Sequence, residues 1–181
     1  RADLARRRAD PADSLGDRNE DIEVIRDGVK PGALGSPDEQ FDSAHGGDQG
    51  TDDWVGIELP SAPSVEFRYF GLDFQEGLHN ADGGWFEDFT VEVRDDFDVW
   101  HEVENLHVDP PYPFAQSGNP GFDGTPFESY ELRFDPIWGE AIRLRGTPGG
   151  STGYISVAEL RALSVDIVEL DPIEIDVSDQ G

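Results

Sequence analysis

The sequence contains no cysteine and no methionine. Without cysteine there is no disulfide framework, no thiolate metal site and no thiol nucleophile, so the fold must rest on packing, hydrogen bonds and ions. Cations are scarce: one lysine, Lys30, and twelve arginines stand against 40 Asp and Glu, giving a formal net charge of −27. So negative a surface repels phosphate backbones and anionic headgroups, which excludes nucleic-acid binding and membrane insertion. No run of eighteen or more apolar residues occurs, so no segment reads as a membrane-spanning helix.

Catalytic signatures are missing as well. There is no catalytic cysteine and no phosphate-binding loop. His45, His79, His101 and His107 show none of the HxxxH-type spacings that a hydrolytic zinc site needs. With so many acids, any chosen carboxylate pair is uninformative as a glycosidase signature. The chain reads as a non-enzyme.

What the sequence has is aromatic and apolar residues enough for a core, 10% and 36% of its 181 residues. One domain with tails is the expectation. The acids then belong to the surface, and two origins fit them. One is a protein kept soluble in concentrated salt, where a Debye length of about 3 Å removes self-repulsion. The other is a GC-rich genome encoding an ordinary acidic secreted protein. The arginine bias and acid excess favour the halophilic origin.

Three textures divide the chain. Residues 1–40 carry seven of the thirteen cations and read as an N-terminal arm, with a short helix over Asp3 to Ala9 and a short strand at Ile22–Ile25, or as a solvated tail. Such an arm, to be ordered, calls for a neighbouring subunit. Residues 41–163 consist of short alternating segments punctuated by Gly, Pro, Asp and Asn: Trp54–Leu59, Val65–Phe74, Phe89–Arg94, Val99–Val103, Tyr130–Phe134, Ala141–Arg145 and Tyr154–Leu163. This spacing predicts an all-β, antiparallel β-sandwich or barrel. Alternation puts Val65, Phe67 and Tyr69 on one face, and likewise Phe89, Val91 and Val93, and Tyr130, Leu132 and Phe134. Trp54, Trp100 and Trp138, in or beside strands, are expected to be buried. Residues 164–181 alternate Ile173, Ile175 and Val177 with acids and read as an edge strand, an acidic C-terminal extension or a linker to a further domain.

The segments "GGWFEDFTVEVR", "DVWHEVENLHVDPPYPF", "FESYELRFDPIWGEAIRLRGTPGG" and "GYISVAELRAL", in this order, resemble the discoidin-like, coagulation factor 5/8 type C domains. The resemblance covers roughly Phe41 to Leu163 and implies a galactose-binding-like jelly roll whose loops at one end form a binding rim. It also implies carbohydrate recognition, in the manner of carbohydrate-binding modules.

Two constellations follow. The glycine-rich stretch "FDSAHGGDQGTDDW" gathers Asp42, Ser43, Asp48, Thr51, Asp52 and Asp53, the carboxylate and carbonyl supply that calcium uses. The resemblance assigns the ligands to Asp42 or Asp48, Thr51 and Glu159, although the insertion "HGGDQG" departs from the commoner family loop. Sugar recognition needs an aromatic platform and planar polar groups. His79, Asn80, Trp85, Tyr112, Phe114 and Arg145 lie on or beside loops and supply both.

The expected role is therefore non-catalytic adhesion to carbohydrate or glycoprotein, outside a cell or on a particle in high salt. The alternative is a structural subunit of a surface layer, filament or virion, a homo-oligomer clasped through residues 1–40 and 164–181. A module appended to a larger enzyme is also compatible with the two tails.

Overall fold

Alternating apolar and polar residues become ten β-strands in the computed structural model, which describes residues 2–5, 21–29, 39–43, 52–58, 67–77, 83–112, 129–151 and 153–166. The strands are β1 (Ala2–Ala5), β2 (Phe41–Asp42), β3 (Asp53–Glu58), β4 (Phe67–Glu76), β5 (Phe86–Arg94), β6 (Trp100–Glu102), β7 (His107–Asp109), β8 (Ser129–Gly139), β9 (Ala141–Pro148) and β10 (Ser156–Asp166). They form two five-stranded sheets, one ordered β1-β3-β9-β5-β6 and the other β2-β10-β4-β8-β7. Every strand pair is antiparallel, so the all-β sandwich expected from the turn spacing is the fold observed.

The inward faces follow the alternation. Val55 and Ile57 of β3, Leu72 and Phe74 of β4, Val91 and Val93 of β5, and Tyr130 and Leu132 of β8 are all buried between the sheets. Burial of each side chain of this size contributes about 1.5–3 kcal/mol. The strands β2, β4, β7 and β9 all end, and β3, β5, β8 and β10 begin, at one end of the sandwich. Four connections therefore gather at that end: 43–52, 77–85, 110–128 and 149–155.

The N-terminal region departs from expectation. Ala2–Ala5 is a strand, not the start of a helix, and runs from Ala2 opposite Glu58 to Ala5 opposite Val55 at the edge of the first sheet. Ile22–Arg26 is a 3₁₀ helix, not a strand. Asp21 caps it by accepting from the Glu23 amide at 3.0 Å, an interaction that favours a turn over extension. Its Ile25 is fully buried and belongs to the core. The helix packs beside β1, β2 and β10, so this isoleucine closes the side of the sandwich.

The tryptophans also depart from expectation. Trp54 and Trp100 are half-buried and lie on the outer face of the first sheet, with the Arg143 guanidinium 3.9 Å from the centroid of Trp100 and 5.2 Å from that of Trp54. Trp138 is 41% exposed. Alternation places Trp54 and Trp100 opposite the core, while a register shift between β4 and β8 takes Trp138 off the inward parity of Tyr130, Leu132 and Phe134; cation–π contact with arginine replaces burial at all three. Ile173, Ile175 and Val177 lie outside the described residues.

Ile25→Ala is expected to lower the unfolding free energy by about 2–5 kcal/mol in chemical denaturation. A change below about 0.5 kcal/mol would put the 3₁₀ helix outside the cooperative unit.

Candidate functional site at the loop end

Two of the gathered connections, 43–52 and both ends of 77–85, are hydrogen-bonded to one tripeptide, Tyr154-Ile155-Ser156, at the start of β10. The Ser43 amide donates to the Ile155 carbonyl at 2.9 Å, the Gly77 amide to the Ser156 carbonyl at 2.9 Å, and the Gly84 amide to the Tyr154 carbonyl at 2.8 Å. The Ser156 amide returns a bond to the Gly84 carbonyl at 3.0 Å. The Ile155 amide donates to the Ser43 hydroxyl at 3.0 Å. Satisfying these buried main-chain groups fixes where each loop leaves the sandwich.

Two close approaches demand glycine. Gly83 has φ +152°, and a Cβ there would meet the Tyr154 ring at 2.4 Å. A Cβ on Gly149 would lie 2.2 Å from the Trp85 Nε1, so the indole rests on this glycine's backbone, and the Gly149 amide donates to the Trp85 carbonyl at 2.8 Å. The two glycines preceding Trp85 thus serve the turn, and Trp85 itself remains half-buried at the loop end.

Beneath the loops the sequence buries polar groups. Glu76 is 1% exposed, on the inward face, and its Oε1 accepts from the Tyr112 hydroxyl at 2.6 Å. The same hydroxyl accepts from the Phe86 amide at 2.8 Å. The Tyr112 ring packs on Phe89 at 4.7 Å and Tyr130 at 4.9 Å between centroids. Burial, and then the Glu76 charge, push the Tyr112 hydroxyl above its ordinary range, so it stays a donor. Tyr112 therefore anchors the connection that follows it, and its ring is committed to the core. Nothing in the loop composition indicated Glu76, although its place in the inward register with Leu72 and Phe74 is a legible signal.

Asp42 is 5% exposed, and its Oδ1 accepts from Gln40 Nε2 at 2.9 Å and from the Ser156 hydroxyl. Asp53 is 2% exposed and accepts from the Ser43 hydroxyl at 2.5 Å. These two carboxylates stand at the two mouths of the 44–51 connection. Glu159 is partly buried further along β10, opposite Gln75 on the outer face of the second sheet. Among the described residues no group of three His, Asp or Glu side chains converges to hold a metal ion. Asp48 and Thr51, with His79, Asn80 and Phe114, lie outside the described residues.

Arg145 projects from β9 on the outer face of the first sheet. It clamps Asp52 in a bidentate pair at 2.8 and 2.9 Å and reaches Glu92 at 3.2 Å. The hydrogen bonds from Arg145 hold the Asp52 carboxyl below its ordinary 3.8, and Asp52 in turn raises the guanidinium. Arg145 thereby fixes the last residue before β3, the exit of the glycine-rich connection.

The described residues form a two-sheet antiparallel sandwich with its connections gathered on one polar floor, the kind of fold that the resemblance in sequence implied. No protein-family model matches the chain, and no curated protein matches it in sequence. Solved structures match it in fold. A chain of the Streptococcus pneumoniae beta-galactosidase BgaA superposes with a TM-score of 0.57 at 11% identity, over 79% of this chain and 86% of that one. CBM32-3, a carbohydrate-binding module from a family 31 glycoside hydrolase of Clostridium perfringens, superposes with a TM-score of 0.55 at 20% identity, over 90% of this chain and 88% of that one.

Tyr112→Phe removes the hydroxyl that serves Glu76 and the Phe86 amide. It is expected to cost about 1–3 kcal/mol of stability, read by urea denaturation, and an unchanged midpoint would contradict the anchoring role. For Arg145→Gln the effect depends on pH. Asp52 has its folded pKa below 3.8, so the Arg145 contribution is full above that value and is lost as the pH falls through the folded pKa. The stability difference between wild type and variant is therefore expected at pH 7 and should shrink below pH 3.8; both groups are half-exposed, so it is small. A difference that grows on acidification would contradict the pairing.

Proposed function

We propose that this chain is a non-catalytic glycan-binding domain that acts in adhesion to carbohydrate or glycoprotein outside the cell, in a high-salt setting. The observation that carries the reading is the convergence of four connections at one end, over a floor that fixes where they depart. The shared fold with a carbohydrate-binding module supports it. So does the charge of −27, which suits concentrated salt.

In this reading the sugar sits on the loops above the Tyr154–Ser156 tripeptide. Trp85 offers an aromatic surface braced by Gly149. His79 and Asn80 belong to the same 77–85 connection as Trp85 and Phe114 to the 110–128 connection, and in this reading they supply hydrogen bonds and a second apolar face. Tyr112 positions the 110–128 connection and Arg145 the exit of the 43–52 connection. Calcium is assigned to the glycine-rich connection, with Asp48 and Thr51 as ligands beside Asp42 and with Glu159 from β10. The support is the pair of buried carboxylates, Asp42 and Asp53, at the two mouths of that connection.

On a glycan array in about molar salt, the full chain is expected to bind a restricted set of glycans. Trp85→Ala should weaken that binding about tenfold, the 1.4 kcal/mol scale of a lost aromatic platform. A folded chain that binds no glycan would overturn the proposal. Millimolar calcium should raise the melting temperature by about 2–4 °C per kcal/mol of binding, and a chelator should reverse it. Identical melting in both conditions would remove calcium from the scheme.

A further inference from the structure

Of the five large hydrophobic side chains exposed among the described residues, four lie at the end of the sandwich opposite the gathered connections: Phe97, Val99, Trp138 and Val165. They sit on two adjoining structures. One is the tip of the β5–β6 hairpin, fixed by Asp95. Its carboxylate accepts from the Phe97 and Val99 amides, each at 2.9 Å, and its own amide donates to the Val99 carbonyl at 3.0 Å. A turn held in this way keeps Phe97 out in solvent, 79% exposed, and an anchor that is already rigid loses little freedom on binding. The other is a row across the second sheet, in which Val165 of β10 stands opposite Arg68 of β4, and Arg68 opposite Trp138 of β8. Tyr69, next to Arg68, is fully buried, so the row faces outward. The two structures meet where the Glu140 amide, just after β8, donates to the carbonyl of Arg94, the last residue of β5, at 2.8 Å.

Arg68 is set apart by what it lacks. The chain holds 40 Asp and Glu, and Arg26, Arg94, Arg133, Arg143, Arg145 and Arg161 each meet a carboxylate. Arg68 is the one arginine among the described residues that meets none, and its guanidinium lies 6.0 Å from the centroid of the Trp138 ring. A cation beside an exposed indole, with no acid of its own, has the make-up of a binding anchor, since tryptophan and arginine dominate interface energetics. The hairpin tip carries the opposite charge. There Asp98 meets Arg94 at 3.6 Å, while the exposed Asp96 meets no cation among the described residues.

We propose that this end binds a second copy of the chain, in a two-fold dimer where Phe97 of each copy seats on Trp138 and Val165 of the other and Asp96 pairs with Arg68. The tip and the row lie on one end of one molecule, so the surface is self-complementary, as a two-fold interface requires. One contact entails the other: Asp96 precedes Phe97 in sequence and Arg68 neighbours Trp138, so seating the ring delivers the carboxylate to the guanidinium. Two copies of charge −27 repel at a distance, but concentrated salt screens that repulsion beyond about 3 Å and leaves the contacts themselves. The dimer does not depend on the sugar reading, and it leaves both loop ends free.

Light scattering after size-exclusion chromatography of the full chain, in about molar salt, should show a dimer. Phe97→Ser, at an exposed position, should keep the circular dichroism of the fold and weaken dimerisation at least about tenfold. Arg68→Asp and Asp96→Arg should each weaken it as well, and the two together in one chain should restore it, because every copy then carries both halves of the exchanged pair. A monomeric full chain overturns the proposal. So does an oligomer that is indifferent to Phe97→Ser, since another surface must then hold it, and so does a double variant no better than either single one.

Discussion

The loop end depends on the hydrogen bonding of Tyr154-Ile155-Ser156. These residues receive main-chain bonds from Ser43, which begins the 43–52 connection, and from Gly77 and Gly84, at the two ends of 77–85. Position in the fold makes this efficient, because β10 starts where the other connections leave. The rest of the floor is built around the same point: Ser156 donates to Asp42, Ser43 donates to Asp53, and the Tyr154 ring occupies the space that a side chain at Gly83 would take. Loops of polar and glycine-rich sequence can then vary above a base that does not.

Charge is arranged around this frame differently on each surface. At the loop end, carboxylates are buried and met by hydroxyls, an amide and a tyrosine. On the outer face of the first sheet, Arg143 and Arg145 hold Glu92 between them while Arg143 lies against Trp54 and Trp100. Arginine suits this position because its flat guanidinium can stack on indole and still donate in plane. In a chain with one lysine, such pairs use several of the twelve arginines as cross-strand braces. The remaining acids carry the net charge, which concentrated salt screens.

Period-2 alternation was sufficient to place the strands and most of the core, because in an antiparallel sheet the face of a residue is set by its parity. Val91, Val93, Leu132 and Tyr130 are buried as that parity requires. The three tryptophans show where residue type misleads: parity puts Trp54 and Trp100 outside, a register shift between β4 and β8 does the same for Trp138, and the expectation of burial rested on their size alone. Ile25 was hidden for the opposite reason, since one apolar residue in a charged arm carries no periodic signal and only its tertiary neighbours reveal its place. At the site, Asp42, Trp85, Tyr112 and Arg145 were legible as polar or aromatic residues near glycine and proline. Their partners were not, because Glu76, Gln40 and Ser156 come from distant segments that only the topology brings together.

That the loop end is the face for a glycan ligand is the central proposal. Chemical-shift mapping of the full chain against a galactose-terminated oligosaccharide tests it directly. Perturbed amides should cluster at 43–52, 77–85, 110–128 and 149–155, with the strands unaffected. Perturbation centred on the outer faces of the sheets, at Trp54 and Trp100 for instance, would contradict a binding site at the loop end.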